Sequence, residues 1–206
     1  VTIARTAPLL IAIAGALAAA SPALAQSKPY LAMLMEWQQY AASDDLARLP
    51  HGEPRIGVGI EAGVFRAPLG SVGLHGVIDL GNPLADPFTP LEDESGYRVG
   101  LRLRSPWLPP IEGARPRFEL AADRVRASAR YLNDDHTTGG WSLQLGVGVE
   151  APLGEGFGLL VSIGYGWEDL GDLNRADGAT ATLPGSTVPL SLDRSGWYLR
   201  LGAGAW

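Results

Sequence analysis

Apolar residues recur at every second position through most of this chain. In 55–64, Ile56, Val58, Ile60, Ala62 and Val64 form one face and Arg55, Gly57, Gly59, Glu61 and Gly63 the other, the period of two that a half-buried strand imposes. Through 72–80, Val72, Leu74, Ile78 and Leu80 oppose Gly73, His75, Val77 and Asp79; through 97–104, Tyr97, Val99, Leu101 and Leu103 oppose Arg98, Gly100, Arg102 and Arg104. The runs 141–150 and 157–168 are the clearest, with apolar or aromatic residues at every odd position from Trp141 to Val149 and from Phe157 to Trp167. A last strand spans 196–206 and closes on Trp206.

Two further segments need a decision. In 117–132, Phe118, Leu120 and Ala122 share a face, and then Val125, Ala127, Ala129 and Tyr131 take it over. A β-bulge at 122–124 would reconcile the halves, and an amphipathic helix is the alternative. In 29–42, Leu31, Met33, Met35 and Trp37 alternate with Ala32, Leu34, Glu36 and Gln38, although the composition also suits a short helix. The strand is preferred because it gives the last strand a partner and brings the count to eight.

Eight such segments predict an all-β fold, a transmembrane antiparallel up-and-down β-barrel of eight strands. After residue 25 no apolar run approaches the ~20 residues of a helical span, yet mean hydropathy is +0.07 and only 18% of residues are charged, because the apolar residues are dispersed in alternation. Arg98, Arg102 and Arg104 on one strand face would have to lie in water in a soluble sandwich; a polar lumen accommodates them. On this parity Leu145 and Ile163 face lipid and Gln144 the lumen, so arginine is expected to be tolerated better at 144 than at 145 or 163. Connections sort into short ones (67–71, 105–115, 151–156), expected on the periplasmic side, and long ones (42–54, 81–95, 133–140, 169–195), expected outside.

The N-terminal residues read as a secretory leader. Arg5 precedes the small, apolar run 9–20, and Ala23-Leu-Ala25 fits the small-x-small rule for cleavage before Gln26. Residues 1–25 are therefore expected to be a cleaved signal peptide and 26–206 the barrel domain. Arg5 is the only charge in the leader, so the formal charge passes from −6 to −7 when it is removed. That balance argues against nucleic acid as a partner. Without cysteine there is no disulfide framework and no thiolate chemistry.

The leader, the eight alternating segments, the three short and four long connections and the terminal aromatic together resemble the small eight-stranded outer-membrane barrels of the OmpA, OmpX and OmpW type. The resemblance spans the mature chain and is one of architecture. It implies residence in the outer membrane of a Gram-negative bacterium, contact with outer-membrane lipid and lipopolysaccharide, and recognition of Trp206 as the C-terminal aromatic read by the barrel-assembly machinery. The chain departs from the family at its end, where Arg200, Gly202 and Gly204 share the parity of Trp206, and Leu199, Leu201, Ala203 and Ala205 hold the other.

Chemistry concentrates on the inward faces. Parity, with the slip in 117–132, turns Arg98, Arg102, Arg104, Arg117, Arg126, Arg130 and Arg200 inward alongside Glu61, Glu119, Glu150 and Glu168. An eight-stranded interior is just wide enough for side chains to fill, so these groups are expected to pair as a charged plug; a narrow anion-preferring pore for ions or small solutes is the alternative that the arginine surplus favours. A lipid-modifying enzyme is the third class. It would need a histidine near a carboxylate or hydroxyl, and His75 and Asp79 lie ~13 Å apart along one strand. His136 reads as part of a hydrated turn and His51 lies in a long connection. Asp172-Leu-Asn-Arg-Ala-Asp-Gly178 misses the oxygen spacing of a calcium loop. No catalytic residue, metal or cofactor is expected. The expected role is a membrane anchor, or a structural or surface-interaction protein, with acidic extracellular loops (Asp86, Glu92, Asp93, Glu94, Asp134, Asp135, Asp169, Asp172, Asp177, Asp193) that meet a partner outside the cell.

Overall fold

The computed structural model describes residues 28–40, 48–50, 54–66, 70–80, 91–106, 108–111, 113–182 and 185–205. The expected leader, His51 and Trp206 lie outside them. Eight long strands follow in order: β1 (Lys28–Tyr40), β2 (Pro54–Arg66), β3 (Gly70–Asp79), β4 (Leu91–Arg104), β5 (Arg115–Tyr131), β6 (Asp134–Gly154), β7 (Phe157–Leu170) and β8 (Gly196–Ala205). Each pairs antiparallel with the next, and β8 returns to β1 with Leu31 opposite Ala205 and Tyr40 opposite Gly196. The ladder closes without a free edge, which alone allows a sheet to stand in lipid with its backbone groups satisfied. Residues 29–42 thus contribute a strand, as preferred, rather than a helix.

Alternation divides the side chains between two environments. Met33, Leu145 and Ile163 on the outer wall are 71%, 52% and 52% exposed, while Glu61, Arg102 and Arg200 on the inner wall are 0%, 1% and 1% exposed. Apolar side chains outside and charged ones inside is the inverse of a soluble core and the pattern of a lipid-facing barrel. The exposed tryptophans Trp37, Trp141, Trp167 and Trp197 and Tyr97 gather near the end opposite the described termini, while Phe118 and Phe157 stand toward the other. Tyr165 packs between two of the tryptophans, 5.0 Å from Trp167 and 5.4 Å from Trp197. Aromatic girdles at this level mark a membrane boundary.

The expected phase slip in β5 does not occur. Pairing runs unbroken from Gly96 opposite Ala127 to Arg104 opposite Glu119, and odd-numbered residues point inward along the whole strand. What changes at Asp123 is the polarity of the interior. Val125, Ala127, Ala129 and Tyr131 turn inward into an apolar cluster with Leu170, Leu173, Ala181, Leu190 and Leu192, because the connection after β7 folds across this mouth of the barrel. Hydrogen bonds from Leu173 N to Leu190 O, Ala181 N to Leu173 O and Leu190 N to Ala181 O (2.8, 2.8 and 2.9 Å) knit that connection together, and Asn174–Arg175 adds a short pairing to His136 and Thr137 at the upper end of β6. The alternation therefore reported a change of neighbours, not a bulge.

Of residues 133–140, expected as a long loop, 134–140 are strand. Tyr131 and Asp134 pair directly across a two-residue turn in which Leu132 and Asn133 have φ of 51° and 67°, the left-handed pair that suits the twist of a hairpin. At the opposite end β6 likewise runs on through 151–154, with a register shift between Pro152 and Gly154, before turning at Glu155 and Gly156.

Ile163→Arg, which puts a cation into the lipid-facing wall, is expected to lower unfolding free energy in bilayers by roughly 2–4 kcal/mol. Its inward neighbour, changed as Ser162→Ala, is expected to move it by less than about 1 kcal/mol; denaturant titration of the reconstituted barrel distinguishes the two.

Candidate functional site

The inner wall carries a continuous lattice of ion pairs. Because β4 presents Arg98, Arg102 and Arg104 inward, three guanidinium groups rise along one side of the lumen, and carboxylates from other strands meet them. At the end bearing the termini, Arg104 forks onto Glu61 of β2 through both terminal nitrogens, with Nη2 to Oε2 at 2.7 Å, and its Nε donates to Glu119 of β5 at 2.7 Å. Arg102 donates to Glu61 Oε2 at 2.5 Å, and the Tyr30 hydroxyl donates to Glu61 Oε1 at 2.5 Å. Arg117 and Glu150 stand 2.9 Å apart beside them.

Midway, Arg200 of β8 donates to Glu36 of β1 (2.5 and 2.9 Å), to Glu119 of β5 (3.1 Å) and to Gln144 of β6 (2.6 Å). Glu36 also accepts from Arg98 at 2.6 Å. The guanidinium of Arg200 lies 4.6 Å from the centre of the Tyr198 ring, and that ring has room because Gly146 and Gly164 lack side chains: a Cβ there would come within 2.3 and 2.5 Å of the Tyr198 hydroxyl. His75 Nε2 and Asp123 Oδ1 are 2.9 Å apart although their strands are not neighbours. Gly100 separates them on β4, and a Cβ there would stand 2.2 Å from Asp123 Oδ1.

Toward the other mouth the lattice passes from strands to loop. Arg194, from the connection after β7, is fully buried; it donates to Asp79 at 2.5 Å and lies 3.4 Å from Glu168 and 3.7 Å from Glu94. Its carbonyl accepts from Gln38 Nε2 at 3.1 Å. Arg55 adds contacts to Glu94 and, at 3.9 Å, to Asp79.

Of the lumenal residues read from the sequence, Arg98, Arg102, Arg104, Arg117, Arg200, Glu61, Glu119, Glu150 and Glu168 come together in this lattice. Arg126 and Arg130 do not. With β5 in one phase they lie on the outer parity, Arg126 exposed and Arg130 paired at 3.2 Å with Asp135. Glu36, Arg55, Asp79, Glu94, Asp123, Gln144 and Arg194 belong to the interior and were missed as members. Glu36, Arg55, Asp79 and Gln144 already stood on polar strand faces, and Asp123 lay in the expected bulge; what parity could not supply was which of them meet across the barrel. Glu94 and Arg194 were assigned to loops.

Adding them alters the electrostatics. Seven arginines (55, 98, 102, 104, 117, 194 and 200) face eight carboxylates (36, 61, 79, 94, 119, 123, 150 and 168). The arginine surplus that favoured an anion path is absent, and the paired side chains are buried or nearly so.

The loops are also less bare than their acidity suggests. Asp134 pairs with Arg175 at 3.3 Å, and His136 Nδ1 is 2.8 Å from Asp134 O. Within the segment compared above with a calcium loop, the Asp177 carboxylate accepts from Ala179 N, and Asn174 Oδ1 from Thr180 Oγ1, both at 3.0 Å. Among the described residues no group of three or more histidines and carboxylates could hold a metal ion.

A closed, eight-stranded antiparallel barrel with an apolar outer wall and a charged inner one defines a class, the small transmembrane up-and-down barrels. Neisserial surface protein A superposes on 87% of this chain and 97% of its own with a TM-score of 0.62 at 15% sequence identity, so the fold is common to both. Ail, the attachment invasion locus protein of Yersinia pestis (TM-score 0.46, 14% identity, 87% of this chain and 96% of that one), and a major outer membrane protein of Thermus thermophilus (0.42, 17%, 86% and 99%) are more distant matches. No protein-family model and no curated protein sequence matches the chain.

Removing one carboxylate from the lattice strands its cations. Glu61→Gln is expected to destabilise the barrel by roughly 3–5 kcal/mol, the range for breaking a buried ion pair from one side. Gln144→Arg, which parity alone recommends as a mild lumenal change, sets a second cation against Arg200 and is expected to be as harmful as Ile163→Arg; denaturant midpoints of the folded barrel test both.

Proposed function

We propose that this chain is an integral outer-membrane protein of a Gram-negative bacterium, exported with a cleaved leader at 1–25, whose barrel is a sealed anchor for the structure at its outer mouth. The observation that carries this reading is Arg194. A loop residue with no exposed surface, ion-paired to Asp79 and Glu168 of the wall, is a strut that ties the cap to the lumen. Beneath it the ion pairs are nearly balanced in charge and buried, an arrangement suited to rigidity and ill suited to selective conduction, which needs a lined water path. Catalysis is disfavoured on similar grounds. His75 and Asp123 lie 2.9 Å apart, but both are buried between layers of the ion lattice, away from the lipid-facing wall. A non-enzymatic anchor therefore leaves the capped mouth and its loops as the surface that meets partners.

The protein is expected to fractionate with outer membranes and to migrate faster on gels before boiling than after, because a ladder without edges resists detergent. Reconstituted into planar bilayers it is expected to pass no steady current, and Arg194→Ala, which releases the cap, to give transient openings. Recovery from the soluble periplasm would refute the membrane assignment, and a stable ion-selective current from the unmodified protein would favour the channel.

A further inference from the structure

On the outer wall, two arginines of β5 differ from the others. Arg124 and Arg126 are exposed and, among the described residues, neither has a carboxylate within ion-pair distance, whereas the lumenal arginines are paired and Arg130 and Arg175, farther out, meet Asp135 and Asp134. They stand at a defined height. Arg124 is opposite Trp141, with its guanidinium 5.1 Å from the indole centre, and Arg126 is opposite Tyr97. Both aromatics belong to the girdle at the membrane boundary, so the two charges lie at headgroup level, where arginine is tolerated in a membrane.

A cavity of about 410 Å³ opens there, lined by Tyr97, Arg124, Arg126, Thr137 and, from the connection after β7, Asp172 and Asn174. Gly139, paired with Arg126, places no side chain in its floor. Two planar guanidinium groups about two residues apart along a strand, ~7 Å, suit the oxygens of one phosphate group. The threonine and tyrosine hydroxyls can donate to the same group, and the Asp172 carboxylate can accept from the hydroxyls of a glycerol or sugar attached to it. Directly below Arg124 on the same wall, Ala122 is flanked by Leu101 and Leu143. A small residue between two large ones, with Leu120 next below it on the same face, leaves a shallow apolar dip in the wall just beneath Arg124.

We propose that this cavity binds the phosphate headgroup of a membrane lipid, with Arg124 and Arg126 on the phosphate and the upper part of an acyl chain against the apolar dip at Ala122. The inference rests on the reading of the barrel as a membrane protein. The apolar dip beneath the two arginines favours a lipid over a free phosphate ion, which has nothing to place there.

Native mass spectrometry of the refolded, detergent-solubilised barrel tests the proposal, with phosphatidylglycerol as probe, phosphatidylcholine as the zwitterionic comparison and inorganic phosphate as competitor. Phosphatidylglycerol is expected to be retained in preference to phosphatidylcholine. Arg124→Gln and Arg126→Gln are each expected to weaken it roughly five-fold, the usual worth of one basic side chain at an anionic membrane surface. Ala122→Phe, which fills the dip, is expected to weaken it without changing any charge, and Arg130→Gln to leave it unchanged. Equal retention of the two lipids, or no loss in either arginine variant, overturns the site. Displacement by an equal concentration of inorganic phosphate overturns the lipid assignment in favour of a free-anion site. Heat-modifiable mobility is recorded for every variant; its absence in the unmodified protein would instead bring down the membrane reading, and the proposal with it.

Discussion

Closure of the strand ladder is the constraint on which everything else in this molecule depends. Once Leu31 to Tyr40 zips onto Gly196 to Ala205, alternate side chains of all eight strands are committed to an interior just wide enough for them. Charges placed there have no water to retreat to, and each must find its opposite. The lattice of guanidinium and carboxylate groups follows from that confinement, as do the glycines at positions where a neighbour's ring or carboxylate needs the space. A buried ion pair is a poor source of net stability, but a lattice spanning five or more strands fixes the barrel's cross-section and register.

How much of this was legible in the sequence depends on the range over which each signal acts. Strand existence, the parity of Leu145 against Gln144 and the need for a first strand at 29–42 are written in neighbouring residues, and the structure agrees with all three. Pairing across the lumen is written in the register of strands that are far apart in sequence. Arg200 meeting Glu36, or His75 reaching Asp123 past Gly100, cannot be read from either segment alone. The separation of His75 from Asp79 along one strand concerned the wrong partner, since His75 meets Asp123.

Position 117–132 shows a different kind of failure. Its apolar residues change parity because the interior changes character at Asp123, from ion lattice below to apolar cap above. Periodicity assumes one environment per face, so it interpreted two environments as a backbone slip and turned Arg126 and Arg130 inward. The same mouth explains both misses: Arg194, a loop residue presumed solvated, is part of the core, and Glu94, read as loop, stands at the upper end of β4. Likewise the tight turn at Leu132 and Asn133 was missed because Leu is an unusual occupant of a left-handed position, so that polar 133–140 looked like loop.

The seam between β1 and β8 also bears on how the molecule can assemble. Every other wall contact joins strands adjacent in sequence, and the longest hairpin, β5 with β6, turns on only two residues. Those pairings are local and entropically cheap. Joining Leu31 to Ala205 closes a loop of nearly the whole described chain, the largest conformational restriction of all. Glu36 lies on one side of that seam and Arg200 on the other, 2.5 Å apart when it is shut. That pair is thus a latch, absent while the sheet is an open ribbon and formed only as its two ends meet.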